Sequence, residues 1–262
     1  MAIDLENAAD IYTLEKDYEI SVSEMECSRR IKPVVLLNYM QDLAEKSISK
    51  IGEQYSCDAL AEKGCGWFII RYRIEFENYL SNLKNIKIKT ESRGCQKSTF
   101  YRDFAIYDNN SGRCVLRAVS SWFIVDLAQK SIVNIEKEYP DFRQFESREN
   151  DLTLNRLKPP VRVDKEKFFE VRYDDLDINN HVNNTVYITW ALESLDYEFR
   201  KHHVIKSIDV YFKHDVTYGV PICSQVCMNE THTVTEHLIK NADTGEALCL
   251  LRIEYENFWS NC

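Results

Sequence analysis

Apolar positions along this chain change period in the same order twice. A short alternating stretch passes through a polar turn into an apolar stripe at helical spacing, then into several alternating runs; the order repeats 151 residues later. Setting 19–44 against 170–195, Ile20 falls on Val171, Val22 on Tyr173, Met25 on Leu176, Ile31 on Val182, Val35 on Val186 and Tyr39 on Trp190. The first stripe (Leu36, Met40, Leu43, Ser47, Ile48, Ile51) predicts a helix over Pro33–Ile51. Pro33 suits the first turn, where its missing N–H has no intrahelical partner, and Gly52 is placed to end the helix in the left-handed conformation. The second stripe (Tyr187, Trp190, Ala191, Ser194, Leu195) predicts a helix over 184–200, capped by Asn183 or Asn184.

Runs of strand character follow each helix: 67–77, 86–92, 99–107 and 115–126 in the first half, and 205–212, 222–228, 233–240 and 247–255 in the second. Asn109 to Gly112 and Asp243 to Gly245 carry hairpin chemistry at equivalent places. A sheet of that length must bury one face, and a single apolar helix lying along it is enough to cover it. The expected class is α+β: two fused hotdog domains, each a long helix packed on an antiparallel sheet. The expected division is 1–126 as an N-terminal hotdog domain with a structural or substrate-binding role, 127–165 as a charged connection without clear period, and 166–262 as the C-terminal hotdog domain carrying the catalytic residues. Two fused hotdogs are already a pseudo-dimer, so both a monomer and a homodimer stay open.

Composition narrows the function classes. Of 262 residues, 44% are hydrophobic and 29% charged, which suits a packed core and argues against a disordered chain. A net charge of −9 disfavours nucleic acid and anionic membrane surfaces as partners. No apolar run approaches a membrane span, and 1–10 is acidic, without the pattern of a signal peptide. A cytoplasmic location with reduced thiols is the expectation for the nine cysteines. Cys223 and Cys227, four apart in an alternating run, point to one sheet face and read as core. No zinc spacing, phosphate loop or dinucleotide fingerprint occurs, so neither a metal nor a cofactor is expected.

The densest polar cluster runs from Tyr173 to Asn184, where the second half turns from strand to helix. A helix start offers unpaired N–H groups and partial positive charge, suited to an oxyanion. Asp177, Asn179 and His181 alternate along an extended segment, so their side chains can share a pocket. Carboxylate, amide and imidazole together can activate water, polarise a carbonyl and move a proton. A structural turn with a capping asparagine accounts for many of the same residues. The first half provides an internal control: Glu26, Ser28 and Arg30 stand at the three equivalent positions.

The run Asp177-x-Asn179-x-His181-Val182-Asn183-Asn184, followed by Tyr187 and Trp190, resembles the second half of the acyl-acyl-carrier-protein thioesterases of plants and bacteria. The first half is similar in Leu36 to Asp42, Trp67, Tyr101-Arg102-Asp103-Phe104 and Ser120-Ser121-Trp122, so the likeness runs from Asp17 to Tyr255. The resemblance implies hydrolysis of fatty acyl thioesters carried on acyl carrier protein, which terminates fatty acid synthesis, with Asp177, Asn179 and His181 as catalytic residues. It also implies an acidic residue on the strand after the second helix. Asp215 stands there, 34 residues beyond His181, where the family usually has Glu. Val216 follows where the plant enzymes often place Cys, which favours water as the nucleophile. Strand alternation sends the neighbouring His214 to the opposite face. An acyl-CoA thioesterase, a hydratase using Glu193 and a non-catalytic acyl-binding module remain alternatives.

Overall fold

A computed structural model describes residues 11–77 and 83–257; the acidic segment 1–10 lies outside the described residues. The chain divides into two compact units, residues up to Ile70 together with Glu77–Thr153, and Arg71–Phe76 together with Leu154 onward.

The first unit contains β1 (Thr13–Glu19), α1 (Pro33–Ile51), α2 (Cys57–Glu62), the start of β2 (Cys65–Phe76), β3 (Asn85–Gln96), β4 (Thr99–Asp108), β5 (Cys114–Asp126), β6 (Ser131–Ile132) and α3 (Ile135–Glu138). Its strands lie in the order β1-β3-β4-β5-β2. Alternate residues of β4, Phe100, Arg102, Phe104 and Ile106, are buried. The α1 helix packs on the sheet and buries Leu36, Leu37, Met40, Leu43, Ala44 and Ile48. At ~1.5–3 kcal/mol for each large apolar side chain buried, this stripe outweighs propensity differences of a few tenths of a kcal/mol per residue. The helix has the predicted bounds, with Pro33 in its first turn. Gly52 departs from expectation: it ends the helix in extended backbone, φ 177°, which any residue adopts.

The second unit contains β7 (Lys165–Glu170), α4 (Asn184–Glu193), α5 (Tyr197–His202), β8 (His203–Phe212), β9 (Pro221–Met228), β10 (Val234–Asn241) and β11 (Ala247–Asn257). Its order is β7-β9-β10-β11-β8, which repeats the order of the first unit. Arg71–Phe76 of β2 belongs with this unit and pairs antiparallel with β8, from Arg71 opposite Tyr211 to Glu75 opposite Ser207. Both hairpins turn on glycines in the left-handed region, Gly112 at φ 68° and Gly245 at φ 75°.

The helix expected over 184–200 is broken in two. Ser194 ends the first piece, and its buried hydroxyl donates to Trp190 O (2.8 Å) while its oxygen accepts from Ser224 Oγ on β9 (2.7 Å). A hydroxyl committed to the preceding turn and to the sheet anchors the break.

Much of 127–165 is packed rather than free. Ile135 and Phe142 are buried in a cluster with Tyr55, Leu60, Phe100 and Ile124, backed by Trp67 and Trp122. Cys95 N–H donates to Arg143 O at 3.0 Å, and Phe145 N–H to Cys95 O at 2.8 Å. A Cβ at Gly94 would lie 2.3 Å from Arg143 O, so only glycine permits this approach. Arg93, itself buried, bonds to Asp103 (2.5 Å) and Asp151 (2.7 Å). Burial opposes the charge of Glu91, but hydrogen bonds from Arg148 and Arg143 prevail and hold its carboxyl down at about 2.

Within the second unit His237 is fully buried on β10; Nε2 lies 2.8 Å from Thr235 Oγ1, while Nδ1 has no partner. Burial pushes its pKa down from 6.5 to about 3. The unfolded chain therefore takes up a proton below pH 6.5 that the folded chain refuses until about pH 3. Stability from this group is complete above 6.5 and falls by up to ~1.4 kcal/mol per pH unit on the way down to 3. Urea unfolding across that range should show this slope, and His237→Leu should reduce it by about one proton. An unchanged slope in the variant would mean that His237 protonates freely in the folded protein.

Candidate active site

Between β7 and α4 the chain makes a self-supporting loop. Asp175, 2% exposed, accepts the Arg172 N–H at 2.9 Å and is gripped by the Arg172 guanidinium at 2.6 Å. Leu176 and Val182 form an isolated antiparallel bridge, and Asp177 N–H donates to His181 O at 2.7 Å. Asn180, at φ 59°, turns the chain inside the bridge; asparagine tolerates this region better than most residues. Asn183 caps α4, its Oδ1 accepting the Thr185 N–H at 2.9 Å.

The first unit builds the same loop. Met25 bridges Ile31, Glu26 N–H donates to Arg30 O at 2.8 Å, and Arg29 has φ 59°. The side chains differ. Ser28 Oγ donates to Glu26 at 3.1 Å, and Arg30 Nε reaches Ser28 Oγ at 2.8 Å and Glu26 at 3.3 Å, so the three groups bind one another.

In the second unit the equivalent groups are more open. Asp177 Oδ1 accepts the N–H of Asn179 (2.8 Å) and of His181 (3.2 Å), which closes the loop and leaves Oδ2 without a hydrogen bond among the described residues. The Asn179 side chain is exposed. His181 is half-buried, with Nδ1 3.9 Å from Asp215 Oδ2; this is longer than a hydrogen bond and within reach of an ion pair when the ring is protonated. The structure thus brings His181 and Asp215 together and places Asp177 and Asn179 on the same loop.

Three expectations need correction. Asp215 lies beyond the strand: β8 ends at Phe212, and 213–220 is irregular. Strand alternation therefore does not govern His214, whose ring faces Glu246 at 3.7 Å. At the start of the helix, where open N–H groups were expected, Val182 N–H donates to Val216 O at 2.7 Å. The N–H groups of Asn183, Thr185 and Val186 are also engaged, which leaves Asn184 as the open donor at the start of α4 among the described residues. Glu193, the hydratase candidate, is exposed and paired with Arg200 at 2.5 Å.

Sequence reasoning missed two supports. Asp175 was indistinguishable from its acidic neighbours, although its spacing three after Arg172 is that of a capping box. Tyr187 falls in the apolar stripe, yet its hydroxyl reaches out of the core to His214 O at 3.4 Å. Cys223 and Cys227 are both buried in β9, and no His, Cys, Asp or Glu group among the described residues is arranged to hold a metal. No helix among them is long and apolar enough to cross a membrane.

A helix laid on an antiparallel sheet of the same strand order, twice in one chain, defines a double hotdog protein of mixed α+β class. The chain belongs to the acyl-ACP thioesterase family: residues 12–142 match the acyl-ACP thioesterase N-terminal domain and 158–257 the C-terminal domain. It is 21% identical to a chloroplastic palmitoyl-acyl carrier protein thioesterase of Gossypium hirsutum, over 94% of this chain and 61% of that protein. It is 25% identical to an oleoyl-acyl carrier protein thioesterase 2 of Arabidopsis thaliana, over 76% of this chain and 57% of that one. The chain thus spans about three-fifths of the length of these curated relatives. Among solved structures, a putative oleoyl thioesterase from Lactobacillus plantarum superposes with a TM-score of 0.81 at 22% identity, covering 95% of this chain and 97% of that one. An acyl-ACP thioesterase from Bacteroides thetaiotaomicron gives 0.81 at 18% identity, covering 95% and 100%.

The geometry gives Asp177 Oδ1 a part in holding the loop. Asp177→Asn keeps an acceptor for both N–H groups and should leave stability nearly unchanged, whereas Asp177→Ala should lose ~1 kcal/mol in denaturant unfolding. Equal stabilities for the two variants would show that the carboxylate does not hold the loop.

Proposed function

We propose that the chain hydrolyses fatty acyl-ACP thioesters to free fatty acid and ACP, acting in the cytoplasm without metal or cofactor. The observation that carries this reading is the 3.9 Å approach of His181 to Asp215 beside the loop that holds Asp177. Family membership supports the choice of substrate class. The eight described cysteines are all free thiols, which suits a reducing compartment.

In this mechanism His181, oriented by Asp215, removes a proton from a water molecule held near Asp177 Oδ2. The water oxygen attacks the thioester carbonyl carbon. The Asn179 amide and the Asn184 N–H stabilise the negative charge that develops on the carbonyl oxygen. The C–S bond then breaks, and the departing thiolate takes the proton from His181. Water thus adds across one bond, giving a carboxylic acid and a thiol.

Thiol release from matched acyl-ACP and acyl-CoA substrates tests this directly. The acyl-ACP forms should be hydrolysed faster, and His181→Ala and Asp215→Asn should each lower kcat by ~100-fold or more. Release from acyl-CoA alone would move the protein to the CoA-dependent class. Near-full activity of either variant would remove that residue from the mechanism.

A further inference from the structure

We propose that Tyr187 is a positioning residue for Asp215: its hydroxyl fixes the turn that presents the carboxylate to His181. This rests on the hydrolase reading above. Asp215 sits on irregular backbone, half-exposed, where no strand ladder sets its place. Its segment is instead tied at separate points. Lys213 and His214 N–H donate to Leu248 O, at 2.8 and 3.3 Å. Val182 N–H donates to Val216 O at 2.7 Å, from the residue next to His181. Tyr187 Oη donates to His214 O at 3.4 Å, directly before Asp215.

The third tie is the one made by a core side chain rather than by backbone. The Tyr187 ring is 2% exposed and is held edge-on by Trp190 (5.3 Å) and Phe212 (5.8 Å), so its hydroxyl has little freedom. A buried hydroxyl needs a partner, and the His214 carbonyl is the hydrogen-bond partner that it has among the described residues. Burial, with Cys249, Asp215 and Asp177 nearby, pushes its ionisation far above the ordinary value, so it remains a donor at any working pH. The internal repeat points the same way. Leu36 occupies the equivalent place in α1, behind a loop whose polar groups bind one another, and the hydroxyl appears only in the half whose loop is open.

The test is a double-mutant cycle on the full chain with Tyr187→Phe and Asp215→Asn. The phenylalanine keeps the ring contacts and removes only the hydroxyl. Tyr187→Phe should lower kcat for acyl-ACP hydrolysis by ~10-fold with KM and melting temperature nearly unchanged. In the Asp215→Asn background the same change should alter kcat by less than ~2-fold, because the group being positioned has lost its charge. Wild-type kinetics in Tyr187→Phe would overturn the proposal. So would a loss that persists undiminished beside Asp215→Asn, a change in KM alone, or a large fall in melting temperature. Absence of thiol release by the wild-type protein is a separate outcome: it removes the hydrolase reading, and this role with it.

Discussion

A sheet with one apolar face must be covered by something the chain can deliver at once. Both units meet this constraint with the same backbone device. A bridge of two residues, closed by one N–H to carbonyl bond and turned by a residue at φ 59°, swings the chain off the first strand and starts a helix over the sheet. The bond from Asp177 N–H to His181 O and its counterpart from Glu26 to Arg30 differ by only 0.1 Å, at 2.7 and 2.8 Å. The polar cluster sits where it does because this loop must be there for the fold.

The two loops share a backbone and differ in how their side chains are engaged. Glu26, Ser28 and Arg30 bind one another. Asp177 uses one carboxylate oxygen for the backbone, and His181 looks across to Asp215. The backbone requirement is identical, so the side chains at these positions are free to specialise. The first unit keeps the same loop ahead of its helix with a different set of side chains.

Much of this architecture was legible in the sequence because local periodicity and burial agree. The α1 bounds, the two hairpin glycines and the strand runs follow from patterns within a few residues. What could not be read depended on distant partners. The break after Glu193 comes with a serine hydroxyl that finds Ser224 on β9. The packing of 127–153 rests on isolated anchors, Ile135 and Phe142, set in a charged stretch with no period to betray them. At the site, Asp177, Asn179 and His181 were legible as a spaced cluster. Asp215 was placed on a strand that in fact stops three residues earlier, and the Tyr187 hydroxyl was hidden within an apolar stripe.

The division of β2 bears on how such a chain could be taken apart. Cys65–Phe76 is one continuous strand, yet its last six residues, Arg71–Phe76, are grouped with the second unit and hydrogen-bonded to β8. Severing the gene at the 153/154 boundary would give a C-terminal fragment that lacks them. That fragment would carry β8 as a raw edge, with unpaired N–H and C=O groups along Ser207 to Tyr211 open to any passing strand. A pair of repeats that each own a complete sheet can drift apart into separate polypeptides. Repeats that split a strand in this way lose that pairing when the chain is cut between them.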